Sequence, residues 1–303
     1  MTRALVVGYG SIGQRHARIL RELDCEIGIV SRRELADVTR FPTVAEGINA
    51  LSPDYVVVAN ETAEHLNTVA ALTAAGFGGI LLVEKPLGEG APIRAEAFAF
   101  SGVGYNLRFH PLLTALAEEL QGQRLVSMEV YCGQYLPDWR PGTDYRAGYS
   151  SDPLRGGGVL RDLSHELDYL LWLAGAGRRV AAIGGRFGEL DIASDDSWAI
   201  VAELERCPLA TIQINYLDRP GRRRITVNTA SHTYSVDFGA ATLTRDGTAT
   251  RFEVDRDTTY RAMHRAVLAC DGSRLCTISE GEKVMALISA LEEAALRREW
   301  VAL

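Results

Sequence analysis

The sequence contains no Cys-x-x-Cys pair, and its five cysteines (Cys25, Cys132, Cys207, Cys270 and Cys276) are scattered and odd in number. That excludes a disulfide framework and a cysteine zinc site, and it points to reduced thiols in a cytoplasmic protein. No second histidine completes an H-E-x-x-H pattern, so no metal is expected. No apolar run reaches the ~18 residues of a membrane span. The opening "MTRALVVGYG" meets glycine too early for a signal peptide. Positive charge is also short. The formal net charge is −7, which argues against nucleic acid as the main partner. It leaves room for an anionic ligand, because arginines can concentrate locally. Internal repeats and low-complexity tracts are absent. What remains is 303 residues, 47% hydrophobic and 23% charged. A chain this long buries roughly 75% of its unfolded surface, so it needs no disulfide or metal to hold a core. Its length fits two domains.

Strand and helix alternate through the first third. "ALVVG" (4–8), "EIGIVS" (26–31), "DYVVVAN" (54–60) and "GILLVEKP" (79–86) read as strands. Between them "GQRHARILREL", "TVAEGINALSP" and "AEHLNTVAALTAAG" read as helices, the last two stopped by Ser52-Pro53 and Gly76. This alternation predicts βαβ units and a parallel sheet. "VGYNLRFHP" (103–111) adds a further strand before the helix "PLLTALAEELQG". After about residue 120 the chain turns to runs of alternating polar and apolar residues, such as "RLVSMEVYCGQYL", "SWAIVAELE" and "LATIQINYL". These predict an antiparallel sheet with one wet face. Helices are expected at 157–174 and 279–298. The expectation is therefore an α/β chain in two parts. Residues 1–120 form a domain with a parallel sheet. Residues 121–303 form an α/β domain with a large antiparallel sheet.

Gly8-Tyr9-Gly10-Ser11-Ile12-Gly13 fits G-x-G-x-x-G. It lies between a predicted strand and a predicted helix, the context the motif needs. The first glycine permits the tight turn, the second lets a pyrophosphate reach the backbone, and the third lets helix and strand pack. With Ser11 and Ile12 it offers helix N-terminal N–H groups to phosphate. An NAD site usually places Asp or Glu at the end of the second strand. This chain has Ser31-Arg32-Arg33 there. A hydroxyl and two guanidiniums suit a 2′-phosphate, so NADP is expected, with NAD as the alternative.

Gly156, Gly157 and Gly158 run into "VLRDLSHELDYL". On a helix Leu163, Leu167, Leu170 and Ala174 share one face, and Asp162, His165, Glu166 and Tyr169 another. The apolar stripe must meet a core; the polar face meets water or lines a cleft. The loop "GQYLPDWRPGTDYR" (133–146) gathers Trp139, Arg140, Asp144, Tyr145 and Arg146. Aromatic faces beside hydrogen-bonding charges suit a sugar or polyol.

Taken in order, "GYGSIGQRH", "VEKP" and "GGGVLRDLSHELD" resemble the Gfo/Idh/MocA oxidoreductases, the glucose–fructose oxidoreductase and inositol dehydrogenase group. "VGYNLRFHP" and "TISEGEKVMALISALEEA" are similar to that family too. The resemblance implies a Rossmann domain, then an α/β domain whose open sheet serves oligomer contacts, here in a homodimer or homotetramer. It implies cofactor contacts from Asn60, Glu61, His65, Glu84 and Lys85, and substrate contacts from Asn106 and Arg108. It implies catalytic roles for Lys85 and His165. Asp162 matches the family's aspartate one position displaced, since only Leu163 and Ser164 separate it from His165. "ANET" (59–62) stands where the family has a threonine-proline turn. In these roles a lysine polarises a carbonyl, a histidine shuttles the proton, and the nicotinamide carries the hydride. The expected activity is NADP-linked oxidation or reduction at a secondary alcohol or ketone of a sugar, nucleotide sugar or polyol. Two rivals remain at this level: a non-catalytic dinucleotide sensor, and a glycosidase that recycles a bound nicotinamide.

Overall fold

The computed structural model describes residues 1–35 and 38–303. Its residues fall into two compact units, 1–109 with 256–282 and 110–255 with 283–303. The composition shift had suggested one crossing near 120. The chain in fact crosses at 109/110 and returns to the first unit for 256–282.

In the first unit, apolar β-branched runs make buried strands, and a buried strand needs a neighbour for every backbone N–H and C=O. Six strands pair: β1 (Arg3–Val7), β2 (Glu26–Val30), β3 (Thr39–Phe41), β4 (Tyr55–Val58), β5 (Ile80–Val83) and β6 (Phe100–Val103). Their order is β3-β2-β1-β4-β5-β6, and every pairing is parallel. This is the doubly wound dinucleotide order, with its switch point between β1 and β4. β6 ends at Val103, and Asn106–Phe109 form a short 3₁₀ turn rather than more strand. The short β3 was not foreseen from sequence.

Helices α1 (Ser11–Glu22), α2 (Val44–Leu51) and α3 (His65–Ala74) connect the strands. Thr43 caps α2 by accepting from the Glu46 N–H, and Ser52 ends it in the left-handed region at φ 46°. The core joins Val6, Leu20, Ile29, Val57 and Leu82 to Met263 and Val267. Burying each such side chain stabilises the fold by ~1.5–3 kcal/mol. Met263 and Val267 belong to α7 (Thr258–Leu268), a helix of the returning segment that sequence reading missed.

The second unit opens with α4 (Pro111–Glu119). It then holds β7 (Leu125–Gly133), α5 (Val159–Asp162), α6 (His165–Ala174), β8 (Gly177–Gly185), β9 (Ser197–Leu204), β10 (Leu209–Asn215), β11 (Arg222–Thr229), β12 (Thr233–Asp237), β13 (Thr242–Arg245) and β14 (Thr248–Arg251). Helix α8 (Ile278–Arg297) and β15 (Val301–Ala302) close the chain. The nine-stranded sheet runs β14-β13-β12-β11-β7-β10-β9-β8-β15.

The expected antiparallel sheet is mixed, because β10 pairs with β7 in parallel. A parallel pair needs a long crossover, and the excursion through α5, α6, β8 and β9 supplies it. Alternation sorts the faces: Met128, Val130, Ile200, Ala202, Ile212 and Ile225 are buried. On the opposite face Ile183, Val201 and Leu209 are exposed. Together with Trp300 and Phe187, part of that face lines an open concavity of about 1010 Å³.

Candidate active site

The glycine loop follows β1 at the switch point, where an open α/β sheet places its ligand crevice. Gly8 has φ +97°, and a Cβ there would meet the Asn60 backbone N at 2.6 Å. A Cβ on Gly13 would meet the Gly8 carbonyl oxygen at 2.1 Å. The protein itself therefore requires both glycines. Gly10 differs: its φ of −73° suits any residue, and a Cβ there meets nothing within 4 Å. Gly10 is the N-cap of α1, whose first turn has no side-chain cap and no acidic residue. Ser11 is exposed and Ile12 is partly buried against the core. The helix thus presents uncapped N–H groups and its positive dipole end.

Ser31, Arg32 and Arg33 end β2 as expected. Ser31 is buried, and its Oγ accepts from the Arg33 N–H at 3.1 Å. Arg32 and Arg33 are exposed. Arg40, missed in sequence reading, donates to the Ser31 carbonyl at 3.0 Å and to Glu34 at 2.7 Å. Glu34 is therefore neutralised beside the turn.

Asn60 and His65 shape the turn after β4. Asn60 donates through Nδ2 to Thr68 at 2.8 Å, and its Oδ1 is buried without a partner. His65 lies 2.9 Å from the Pro86 carbonyl and 3.2 Å from the Asn60 carbonyl. Burial pushes its pKa down, and a neutral ring, with one N–H, donates to only one of these two carbonyls. Glu61 is exposed. Glu84 is buried beside the half-buried Lys85, whose bond to Pro86 is cis. Lys85 is one of only two lysines in the chain, against thirty arginines.

Asn106 and Arg108, expected to touch substrate, are buried inside the first unit. Asn106 donates to Thr259 at 2.6 Å, and Arg108 pairs with Glu280 at 3.0 Å. Both fasten the returning segment.

In the second unit the glycine-rich stretch is not one helix. Gly156 and Gly158 take φ +82° and +116°. Helix α5 ends at Asp162, Leu163 breaks the turn, and α6 begins at His165. Nor is one face solvated. Leu163, Leu167, Leu170 and Ala174 are buried, and so are Asp162, Ser164, Glu166, Asp168 and Tyr169. Glu166 faces the Arg223 guanidinium at 2.7 Å. Among these titratable groups His165 alone is partly exposed. Of the two alternatives for the polar face, water or a cleft, the structure excludes a helix face turned wholly to water, since Asp162, Glu166 and Tyr169 are buried.

Asp162 accepts from the Tyr216 hydroxyl at 2.6 Å. Burial, and then the Asp162 charge, push the hydroxyl pKa values of Tyr216 and Tyr149 up. Both hydroxyls therefore stay protonated and donate. Trp139 stands edge-on to Tyr216 at 5.2 Å, and the Arg140 guanidinium lies 5.5 Å over Tyr149. These contacts bring Trp139 and Arg140 together with Asp162, through two tyrosines sequence reading did not single out. Tyr216 directly follows β10, a position that marks it in hindsight.

A hollow of about 270 Å³ is lined by Trp139, Arg140, Thr143, Asp144 and Tyr145, among others. The Trp139 indole N–H is buried and unpartnered. Tyr145 accepts from the Asp191 N–H at 3.3 Å, while Arg146 is exposed and paired with Asp144 at 2.8 Å. Among the described residues no group of His, Cys, Asp and Glu is arranged to hold a metal.

Residues 122–235 match the model of the GFO/IDH/MocA C-terminal domain. No curated protein gives a significant match. Solved structures align along the whole chain. GenD2 from gentamicin A biosynthesis, in complex with NAD, shows 22% identity and a TM-score of 0.83, covering 100% of this chain and 96% of its own. Levoglucosan dehydrogenase with NADH and levoglucosan shows 14% identity and a TM-score of 0.82, covering 100% and 99%. The WlbA dehydrogenase from Bordetella pertussis, with NADH and UDP-GlcNAcA, shows 19% identity and a TM-score of 0.78, covering 100% and 98%. The resemblance read from the motifs is borne out: the chain has the fold of these oxidoreductases, and its residues 122–235 match the GFO/IDH/MocA C-terminal domain model.

Proposed function

We propose that the chain is an NADP-linked oxidoreductase that moves hydride to or from a secondary alcohol or ketone of a sugar, nucleotide sugar or polyol. The observation that carries the reading is Gly10. Its neighbours Gly8 and Gly13 are glycine because the fold leaves no room for a Cβ, whereas Gly10 has ample room. Its missing side chain makes sense for a ligand phosphate approaching the backbone of an uncapped helix. Ser31, Arg32 and Arg33, with Glu34 held by Arg40, support a 2′-phosphate over a bare ribose hydroxyl.

In this reading the nicotinamide supplies the hydride chemistry. Lys85 stabilises the developing alkoxide charge and His165 moves the hydroxyl proton. Asp162, held by tyrosine hydroxyls, fixes the end of α5 three residues before His165 and sets its field. The aromatic and arginine wall around Trp139 and Arg140 takes the sugar. The ligands named for levoglucosan dehydrogenase and WlbA are a sugar derivative and a nucleotide sugar, and they favour that substrate class. The exposed apolar face of the nine-stranded sheet supports a homodimer or homotetramer formed through it. Five free cysteines fit a cytoplasmic setting.

The test is absorbance of the reduced nicotinamide across a sugar and nucleotide-sugar panel. A substrate-dependent change with NADP(H) is expected. No binding of either dinucleotide, and no change with any substrate, would overturn the reading.

A further inference from the structure

Four buried polar groups of the first unit form one chain of hydrogen bonds. His16 Nε2 lies 2.9 Å from Glu84 Oε1. His16 Nδ1 lies 2.8 Å from His264 Nε2. His264 Nδ1 lies 2.9 Å from the Tyr55 hydroxyl. His16, His264 and Tyr55 are 0% exposed, and Glu84 is 6% exposed. The groups come from α1, α7, β4 and the end of β5, so the chain threads much of the unit.

Proton counting gives this chain one direction. A neutral imidazole has one donor and one acceptor nitrogen. If Tyr55 donates to His264 Nδ1, His264 donates from Nε2 to His16 Nδ1. His16 then donates from Nε2 to a Glu84 carboxylate, and every group is satisfied. With a neutral His16 the reverse direction needs a protonated Glu84, and in any protonation state it leaves the Tyr55 hydrogen without an acceptor, since His264 is its one hydrogen-bond partner among the described residues. Burial supports the forward arrangement: it pushes the His264 pKa well down and the Tyr55 hydroxyl well up. The other groups facing the chain are Tyr260, edge-on to His16 at 5.5 Å, and Arg15, lying 5.0 Å over the Tyr260 ring.

The chain ends at the strand tip that bears Lys85. Glu84 Oε2 accepts from the Lys85 backbone N–H at 3.3 Å. The carboxylate sits so close to Gly104 that a Cβ there would meet Glu84 Oε1 at 2.6 Å. A core with only a packing task is filled more cheaply by apolar side chains, because buried polar groups demand complete satisfaction. The closed Tyr55 end also rules out passage of protons to solvent along this line.

We propose that Tyr55, His264 and His16 are positioning residues that hold Glu84 as an oriented carboxylate, and through it hold the main chain at Lys85 for the reaction. This rests on Lys85 acting as proposed above. The inference predicts that His16 and His264 both carry a proton on Nε2, and that His16 accepts on Nδ1 from His264. Nitrogen-15 histidine NMR of the intact protein reads this without any turnover assay. A His16 protonated on Nδ1 would overturn the chain as drawn.

The second arm compares His16→Gln with His16→Leu, and adds Tyr55→Phe. Glutamine can both donate to Glu84 and accept from His264, whereas leucine only fills space. The expected result is a roughly ten- to hundredfold lower kcat in His16→Leu and Tyr55→Phe, with KM for cofactor and sugar unchanged. His16→Gln should recover much of the loss. Equal kcat in all three below their melting temperatures, with Lys85→Ala inactive, would overturn the inference and leave the functional reading intact. An active Lys85→Ala would remove the reading and the inference with it. Should His16→Leu fail to fold, Tyr55→Phe and the NMR tautomers decide.

Discussion

The candidate residues fall into two sets of different material, one in each unit, and each set makes its own half of the chemistry. The first presents backbone: the Gly8–Gly13 turn, the uncapped start of α1, and the extended residue before Pro86. The second presents side chains gathered from distant stretches: Trp139, Tyr149, Asp162 and Tyr216, from a loop, a 3₁₀ turn, a helix end and a strand end. A backbone site is specified by a few adjacent residues whose spacing is visible. A side-chain site exists only after folding. The difference predicts how each half fails: backbone changes should abolish binding, and side-chain changes should slow reaction.

The largest effect is expected from two reacting side chains, His165 of the second unit and Lys85 of the first. Removing His165 or Lys85 as alanine should lower turnover by ~10²–10⁴-fold, the usual contribution of a general acid–base group. Their melting temperatures should stay near wild type. Steady-state rates alongside thermal melts check this, and near-normal turnover in both variants would end their assignment.

Next is Gly10→Val. The fold has room for the side chain, so the melting temperature should hold while dinucleotide binding is lost. Gly13→Val should instead melt early, because its Cβ would lie 2.1 Å from a carbonyl oxygen. If both variants behave alike, the distinction between glycines that serve the fold and the glycine that serves the ligand is wrong.

Cofactor choice should respond less. Ser31→Asp with Arg32→Ala should move preference from NADP toward NAD by ~1.5–3 kcal/mol, the value of a charged hydrogen bond. Titration calorimetry with both dinucleotides measures it. Wild-type affinity for NAD equal to that for NADP would contradict the assignment.

The smallest effect is on stability against pH, in the second unit. His110 caps α4 by accepting the Leu112 N–H on Nδ1, which demands a neutral ring. Burial, with Arg223 nearby, brings its pKa down to about 4. Between about 4 and the unfolded value near 6.5 the unfolded chain binds the extra proton. Stability should therefore fall as pH drops through that window. His110→Asn keeps an N-cap acceptor and should flatten that part of the melting curve. A slope unchanged in the variant would assign it elsewhere.

The same contrast explains what was legible in the sequence. The parallel sheet could be read because its valine runs and helix stops are local signals. So could the glycine loop. Helix α7 was missed because its inward stripe contains Tyr260 and His264 beside Met263 and Val267, and those polar residues hide the apolar period. The break between α5 and α6 was missed because Leu163 carries no breaker signal. The contacts beside it are long-range ones that sequence does not show: Asp162 accepts from Tyr216, and Asp195 accepts from the Leu160 N–H. Asn106 and Arg108 looked like surface chemistry, because nothing in sequence shows that 256–282 returns to bury them. The parallel β7–β10 pair was hidden for a similar reason: alternation reports which face is wet and says nothing of strand direction.

The most direct test of the account is a fluorescence titration of NADPH into His165→Ala and Gly10→Val, each folded as judged by its melt. The account predicts that His165→Ala binds NADPH as the wild type does while turning over poorly, and that Gly10→Val does not bind it. Wild-type NADPH affinity in Gly10→Val, or its loss in His165→Ala, would contradict the division into backbone that binds and side chains that react.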